Sequence, residues 1–402
     1  MADTSAGIGR RIRERRVARR MSLKAVAGLA GLSEGYLSRI ERGERPVDRR
    51  STLESIARAL RVSPVDLSDG WHVATHDNGA DAYSALVDLR ISLADSSLGD
   101  PATEQARPWP ALAADLHRLN TTMRPNHDYA GMGAVLPLLI PELHLVAAGN
   151  GQHRTAALLG LLDCYSAAGH ASKHLGDPSA AQVAALHTRD AANALGDAVS
   201  AGRAASLLAQ AVSVPARERS LAVARRGAAA MDGELDAPGA LETQGMLHLV
   251  AALAAAALRR PGDSADHLGE ASRLAERVGD VSPFNNAWFG TVNVGFWRVA
   301  LAVEAGDGAS AVQLARTVDP TRIPSAGRQA GYWSDLGRAL AMDRRTRGEA
   351  VRALRKAEEL APLSVRADHY VRETVLDLMR RSRQDHAGAE LRGMAYRMGV
   401  PA

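Results

Sequence analysis

Apolar side chains recur at three- and four-residue spacing along nearly the whole chain. The strict alternation of half-buried strands is absent from Tyr83 onward, so the pattern predicts an all-α protein. Over residues 7–20 the stripe is sparse: Ile8, Ile12 and Val17 in an otherwise basic helix. Leu23, Val26, Ala27 and Ala30 then form one face of a short helix, Gly31-Leu32 falls at a bend, and a second helix turns Tyr36 or Leu37, and Ile40, inward. Ser22 and Ser33 stand where an N-cap hydroxyl belongs, and Gly31 where a left-handed residue ends a helix. After a polar loop from Gly43 to Arg50, Ser51-Thr52-Leu53-Glu54 reads as a capping box. It opens a fourth helix with apolar positions Leu53, Ile56, Ala57 and Leu60. Ser63-Pro64 starts a short fifth helix, with proline where its missing N–H costs nothing.

Residues 69–81 lose the periodicity and gather Gly, Asp and Asn, a linker composition. The chain therefore divides into a five-helix unit (1–68), a linker (69–81) and a helical region (82–402) punctuated by Gly, Pro and Asp. That region carries internal repetition. Gly262-Asp263-Ser264-Ala265, Gly306-Asp307-Gly308-Ala309 and Arg347-Gly348-Glu349-Ala350 each open an alanine-rich helix after a longer one. Ala271, Ala315 and Ala357 recur at intervals of 44 and 42 residues. Stacked helix pairs of this kind curve to create a concave surface; an irregular helical bundle is the alternative.

The net charge of +4 conceals an asymmetry. Residues 1–68 hold 15 Lys/Arg and 8 Asp/Glu, a net of +7, which leaves −3 for the remainder. Affinity for DNA is mostly phosphate neutralisation, so a basic excess confined to the first unit points there for nucleic acid. Only Lys24, Lys173 and Lys356 are lysines, and the surplus of Arg, Ala and Gly reads as the coding bias of a GC-rich genome. A single cysteine, Cys164, excludes an internal disulfide and fits a reducing compartment. The arginine-rich start is followed by Ser22-Leu23-Lys24 rather than an apolar segment, which argues against a twin-arginine leader. No uninterrupted apolar run is long enough to span a membrane, so the expectation is a cytoplasmic protein with no membrane association.

Two short helices joined at Gly31 follow the helix-turn-helix plan, in which the second helix enters the DNA major groove. The run S-L-K-A-V-A-x-L-A-G-L-S-x-x-Y-L-S-R-I-E-R-G, followed by L-E-S-I-A-R-A-L-R-V-S-P-V-D-L, resembles the phage-repressor helix-turn-helix family (the Cro and xenobiotic-response-element type) over residues 7–68. The resemblance implies that Glu34, Gly35, Tyr36, Ser38 and Arg39 lie on the DNA side of the recognition helix. Arg39 suits a bidentate contact to guanine, and Glu34 suits a cytosine amine. Ser22, Lys24, Ser33, Arg42 and Arg45 are expected at phosphates, which set register without reading sequence. Gly35 departs from the family, which usually carries a side chain there. Arg49 and Arg50 read equally as solvated loop or phosphate contacts. The second region resembles tetratricopeptide-like arrays, and the combination is similar to peptide-responsive quorum-sensing regulators. That similarity implies a homodimer on a double-stranded DNA operator, with a small-molecule or peptide effector as partner.

Of the 15 aromatic residues, Phe284, Trp288, Phe289, Phe296 and Trp297 fall within fourteen positions, with Asn285, Asn286 and Asn293 interleaved and Tyr332-Trp333 on the equivalent helix of the next pair. Asn286 and Asn293 are seven apart, the spacing of one helix face. Aromatic walls with a few polar groups are the usual dress of a ligand site. Asn285, Asn286, Trp288, Phe289, Asn293, Trp297, Tyr332 and Trp333 are therefore the candidate effector residues, with ordinary core packing as the competing account. His170 and His174 beside Cys164 would make an incomplete metal edge and read as structural, so no metal and no cofactor is expected. No phosphate-binding loop, nucleophile elbow or zinc-protease motif occurs, and no catalytic residue is assigned.

Overall fold

The computed structural model describes residues 7–68, 77–95, 97–211, 217–382 and 388–400. Among them the only β-type pairings are two isolated bridges, and the protein is all-α. The first five helices are α1 (Ile8–Ala18), α2 (Leu23–Ala30), α3 (Glu34–Glu41), α4 (Arg50–Ala59) and α5 (Pro64–Leu67). Ser22 accepts from the Ala25 N–H (3.1 Å) and Ser33 from the Tyr36 N–H (3.2 Å), while Gly31 closes α2 at φ +64°. Ile12, Val26, Leu37, Ile40, Leu53, Ile56 and Leu60 are fully buried together, each worth roughly 1.5–3 kcal/mol in burial. Leu37 rather than Tyr36 is the inward residue. Gly9 lets α1 cross directly over the Ile40 carbonyl, where a Cβ would collide with backbone.

Helices α6 (Asp77–Ala94), α7 (Trp109–Arg118), α8 (Arg124–Asn126) and α9 (Tyr129–Ala148) lead into five consecutive pairs. The pairs are α10 (Arg154–His174) with α11 (Pro178–Leu195), and α12 (Ala198–Ala211) with α13 (Arg217–Ala229). Next come α14 (Ala240–Ala257) with α15 (Pro261–Val278), α16 (Thr291–Ala305) with α17 (Gly308–Ala315), and α18 (Ala326–Ala341) with α19 (Arg347–Leu360). Helices α20 (Pro362–Ala367), α21 (His369–Ser382) and α22 (Ala389–Arg397) end the chain described here. The repeating Ala271, Ala315 and Ala357 are all buried, each on the second helix of its pair. Small residues are needed at such crossings: the Leu354 side chain of α19 fills the space a Cβ on Gly337 of α18 would take. Residues 77–81, expected in a linker, are the first turn and more of α6, while 69–76 lie outside the described residues.

The array closes on itself. His127, after α8, meets Ser364 of α20 (Nδ1 to Oγ, 2.7 Å), Tyr129 shares the same hydroxyl (2.8 Å), and Ser325 donates to the Pro125 carbonyl (3.0 Å). Gly327 lies against the His127 ring with no room for a side chain.

The five-helix unit is docked on this array through the start of α4. Ser51 and Glu54 do not form a capping box. Instead, Glu304 of α16, which is buried, accepts the backbone N–H groups of Arg50 (3.1 Å) and Ser51 (2.9 Å), capping α4 from another part of the chain. Glu54 turns outward from its own helix end to Arg217 of α13 (2.5 Å). Arg338 of α18 donates to the Asp48 carbonyl (2.7 Å), Arg380 of α21 to that of Gly43, and Arg259 to that of Gly31 (3.3 Å). Tyr370 of α21 enters the core of the first unit, its ring between the guanidinium groups of Arg50 (5.1 Å) and Arg338 (5.0 Å). Arg50 is therefore neither solvated loop nor phosphate contact.

Helices α9 and α14 are long and apolar enough, by length and composition, to cross a membrane, although a glutamate interrupts each, Glu142 in α9 and Glu242 in α14. For α14 the composition follows from its setting. Helix α14 packs against α12, α13, α15 and α16 and is apolar on nearly every side.

Removing the Glu304 carboxylate strands two helix-end N–H groups and the Arg50 guanidinium together. Loss of one partner of a buried ionic network typically costs about 3–5 kcal/mol. Glu304→Ala should lower the urea midpoint of the full chain accordingly, and Glu304→Gln, which keeps one acceptor, should fall between. An unchanged midpoint in Glu304→Ala would mean that the docking is carried elsewhere.

Candidate nucleic-acid interface and enclosed cavity

Helix α3 is held from behind by charge as well as by its apolar face. Arg16 of α1 makes a two-pronged contact to Glu41 (both 2.7 Å), a geometry that fixes orientation as well as distance. Its other face is open. Glu34, Gly35 and Arg39 are exposed, Tyr36 and Ser38 are half-exposed, and Ser22, Lys24, Ser33, Arg42 and Arg45 are all exposed around them. None of the ten residues expected at DNA is buried. No Cβ on Gly35 would meet anything, so the missing side chain leaves an open spot on that face. Arg42 is engaged locally by Ser38 (2.5 Å) and Glu44 (2.6 Å), and it holds the Glu44 carboxyl below the usual range. Arg45 lies over the Tyr36 ring (6.0 Å).

The array surrounds a partly open cavity of about 290 Å³. The first helix of each of the five pairs contributes to its lining and the second helix of none. The first helices therefore face inward and the second helices outward. One further wall comes from the docked unit, where Arg50 of α4 reaches the cavity.

Asn285, Asn286, Trp288, Trp297 and Tyr332 line this space; Phe289, Asn293 and Trp333 do not. Asn286 and Asn293 do not share a helix face. The chain turns through Phe284–Asn286 and Trp288 with positive φ at Asn285, Asn286 and Trp288, and α16 begins only at Thr291. Phe289 is fully buried against Gly245, in core. Asn293 is also fully buried, but it is satisfied rather than free: its amide donates to the Ala287 carbonyl (2.8 Å) and its oxygen accepts from Arg328. Trp333 packs between the last clusters of the array. A larger depression, about 400 Å³, lies outside the array between α6 and α9, beside the exposed Ile91 and Leu138, and shares none of these residues.

Several cavity residues escaped the reading of the sequence, among them Arg124, His127, Lys173, Arg203 and Arg328. Arg203 ion-pairs Asp163 and donates to Asn285 (2.7 Å), and Arg124 donates to the Asn285 carbonyl (3.0 Å), so the turn carrying the asparagines is tied to α8 and α12. Cys164 is buried, which pushes its thiol well up, and His170 shares Nδ1 with the Ser166 carbonyl (2.8 Å). Among the described residues no group of three or more potential ligands gathers to hold a metal ion.

Burial pulls the His127 ring down to about 4 and His170 to about 3, and it also lowers His174. These rings are neutral in the native state, whereas in an unfolded chain they titrate near 6.5. As pH falls below 6.5 the unfolded chain takes up protons that the folded chain refuses, and stability is lost down to about pH 4. Buried carboxylates such as Glu54, held up by desolvation, act in the opposite sense, so the histidine contribution is best read as a difference. The fall in melting temperature between pH 7 and pH 5 should be shallower in His170→Gln than in the natural chain. Parallel profiles would show that the ring is already protonated when folded.

No curated protein matches the chain. Residues 8–69 match the family model described as a helix-turn-helix domain, and the first unit of this protein is a helix-turn-helix domain.

Proposed function

We propose that this chain is a cytoplasmic, sequence-specific transcription regulator that binds a double-stranded DNA operator as a homodimer, and that a small-molecule or peptide effector in the cavity of the array sets its affinity. The observation that carries the reading is Arg50. It is the first residue of α4 in the helix-turn-helix domain, it is bound by Glu304 of the array, and its side chain lines the cavity. A ligand in that space meets the DNA-binding domain directly. It can alter operator affinity only by binding unequally to the two arrangements of domain on array.

On DNA, Glu34, Gly35, Tyr36, Ser38 and Arg39 face base edges, and Ser22, Lys24, Ser33, Arg42 and Arg45 hold phosphates. What supports this assignment is that none of the ten is buried, on and around two helices of a helix-turn-helix domain. Two copies read half-sites about 34 Å apart, or a multiple of that. A second reading, a DNA-binding scaffold whose array recruits a protein without any effector, draws on the apolar depression beside Ile91 and Leu138.

Operator affinity of the purified protein, measured on a site obtained by selection from random DNA, should shift when an extract of the organism's small molecules is added. Constant affinity with every fraction would favour the scaffold. Arg39→Ala should cost about 1–3 kcal/mol of specific binding and relax preference at one base. An equal loss on all sequences would make Arg39 a phosphate contact instead.

A further inference from the structure

Aromatic walls describe only part of the cavity. Five cationic side chains line it, Arg50, Arg124, Lys173, Arg203 and Arg328, against two carboxylates, Glu242 and Asp335. Most of this charge is already answered within the protein. Asp163 pairs with Arg203 and stands 4.0 Å from Arg124, and Glu304 lies 3.7 Å from Arg50. The two lining acids are also committed: Glu242 accepts from Ser282 (2.8 Å), and Asp335 pairs with Arg338 (2.7 Å).

Lys173 and Arg328 differ from the others. Lys173 donates to the amide oxygen of Gln210 (3.2 Å), and Arg328 to that of Asn293, with its guanidinium 5.9 Å from the Trp297 ring centre. Neither has a carboxylate partner among the described residues, and Arg328 Nε is buried with no acceptor at all. The neighbouring rings of His127, His170 and His174 are neutral and supply no negative charge. Desolvation by the surrounding protein lowers Lys173, whose side chain still reaches solvent, to about 8 and Arg328 to about 10, so both remain mainly cationic at neutral pH, and Lys173 feels the charges of Arg50, Arg217 and Arg328. Asp368 acts on Lys173, and Asp335 on Arg328, only without direct contact, and Lys173 is still exposed to solvent on the cavity wall. Two like charges lining one space with no carboxylate in contact favour whatever neutralises them.

We propose that the cavity selects an anionic ligand: a compact organic acid, carboxylate or phosphate ester, with its charged group at Lys173 and Arg328 and its apolar body against Trp297 and Tyr332. The inference rests on the effector reading given above and specifies the chemistry of that effector. The Asn293 amide acquires a role in it as a positioning residue. It touches no ligand but holds the Arg328 guanidinium toward the cavity.

The full chain can be titrated at fixed ionic strength with 1-naphthoate, 1-naphthyl phosphate and the uncharged 1-naphthamide, reading tryptophan fluorescence and heat. At least one anion should bind saturably and at least tenfold more tightly than the amide. Lys173→Met should reduce that anion to the level of the amide. Arg328→Lys, which keeps a charge, should retain most of the preference that Arg328→Gln loses, and this pair covers the case in which one variant folds poorly. Whichever anion binds more tightly separates the carboxylate from the phosphate. Equal affinity for the amide and both anions, an anion preference unmoved in Lys173→Met, or binding of none of the three would overturn the proposal. The effector reading has its own outcome. If the extract fraction that shifts operator affinity passes an anion-exchange resin unretained, the ligand class falls while the effector reading stands. If no fraction shifts it, the effector reading falls instead.

Discussion

The docking of one buried carboxylate organises the relation between the two parts of this protein. A helix begins with backbone N–H groups that have no partner of their own, and in α4 these are met by Glu304 from α16, some 250 residues away in the chain. The interaction is directional as well as charged. It specifies which end of α4 faces the array. Arg338, Arg380 and Arg217 add contacts at Asp48, Gly43 and Glu54, which together with the cap fix the domain's orientation on the array.

Closure of the array is the second constraint. Five helix pairs alone would leave an open curved strip. The meeting of His127 and Tyr129 with Ser364, and of Ser325 with the Pro125 carbonyl, converts the strip into a wall around a space. Polar side chains on the inner helices then line a partly enclosed space. That partial shelter makes their charge consequential, since a cation in open water attracts little that the solvent does not screen, whereas a sheltered one is screened less.

The local parts of this design were legible in the sequence. Ser22, Gly31 and Ser33 occupy the cap positions their chemistry predicts, and the Ala271, Ala315 and Ala357 series marks genuine helix pairs. What could not be read was every feature made by residues distant in the chain. Ser51 and Glu54 have the spacing of a capping box, yet a stronger acceptor from elsewhere takes the N–H groups and Arg217 takes the acid. Tyr370, far downstream, carried no signal that it belonged to the first core. The asparagine cluster had the right composition in the wrong geometry: the turn at Asn285–Trp288 breaks the helical periodicity on which the seven-residue spacing relied. Arg328 looks like a surface residue in a sequence, because nothing local marks a charged position as inward-facing, and nothing in the sequence shows that the exposed Lys173 also lines a cavity.

Tyr370 also fixes the order in which the protein can be completed. Domains generally fold as units, N-terminal first during synthesis, and the helix-turn-helix domain leaves the ribosome before the array. Its core nevertheless includes a ring from α21, far downstream of the domain. The domain therefore waits, lacking one side chain of its interior, until almost all of the array has been synthesised and has closed. A chain that stalls before α16 presents a DNA-binding domain with an unfinished core and without its Glu304 cap, and one that stalls before α21 still lacks Tyr370, so completion of the docked domain is tied to translation through α21.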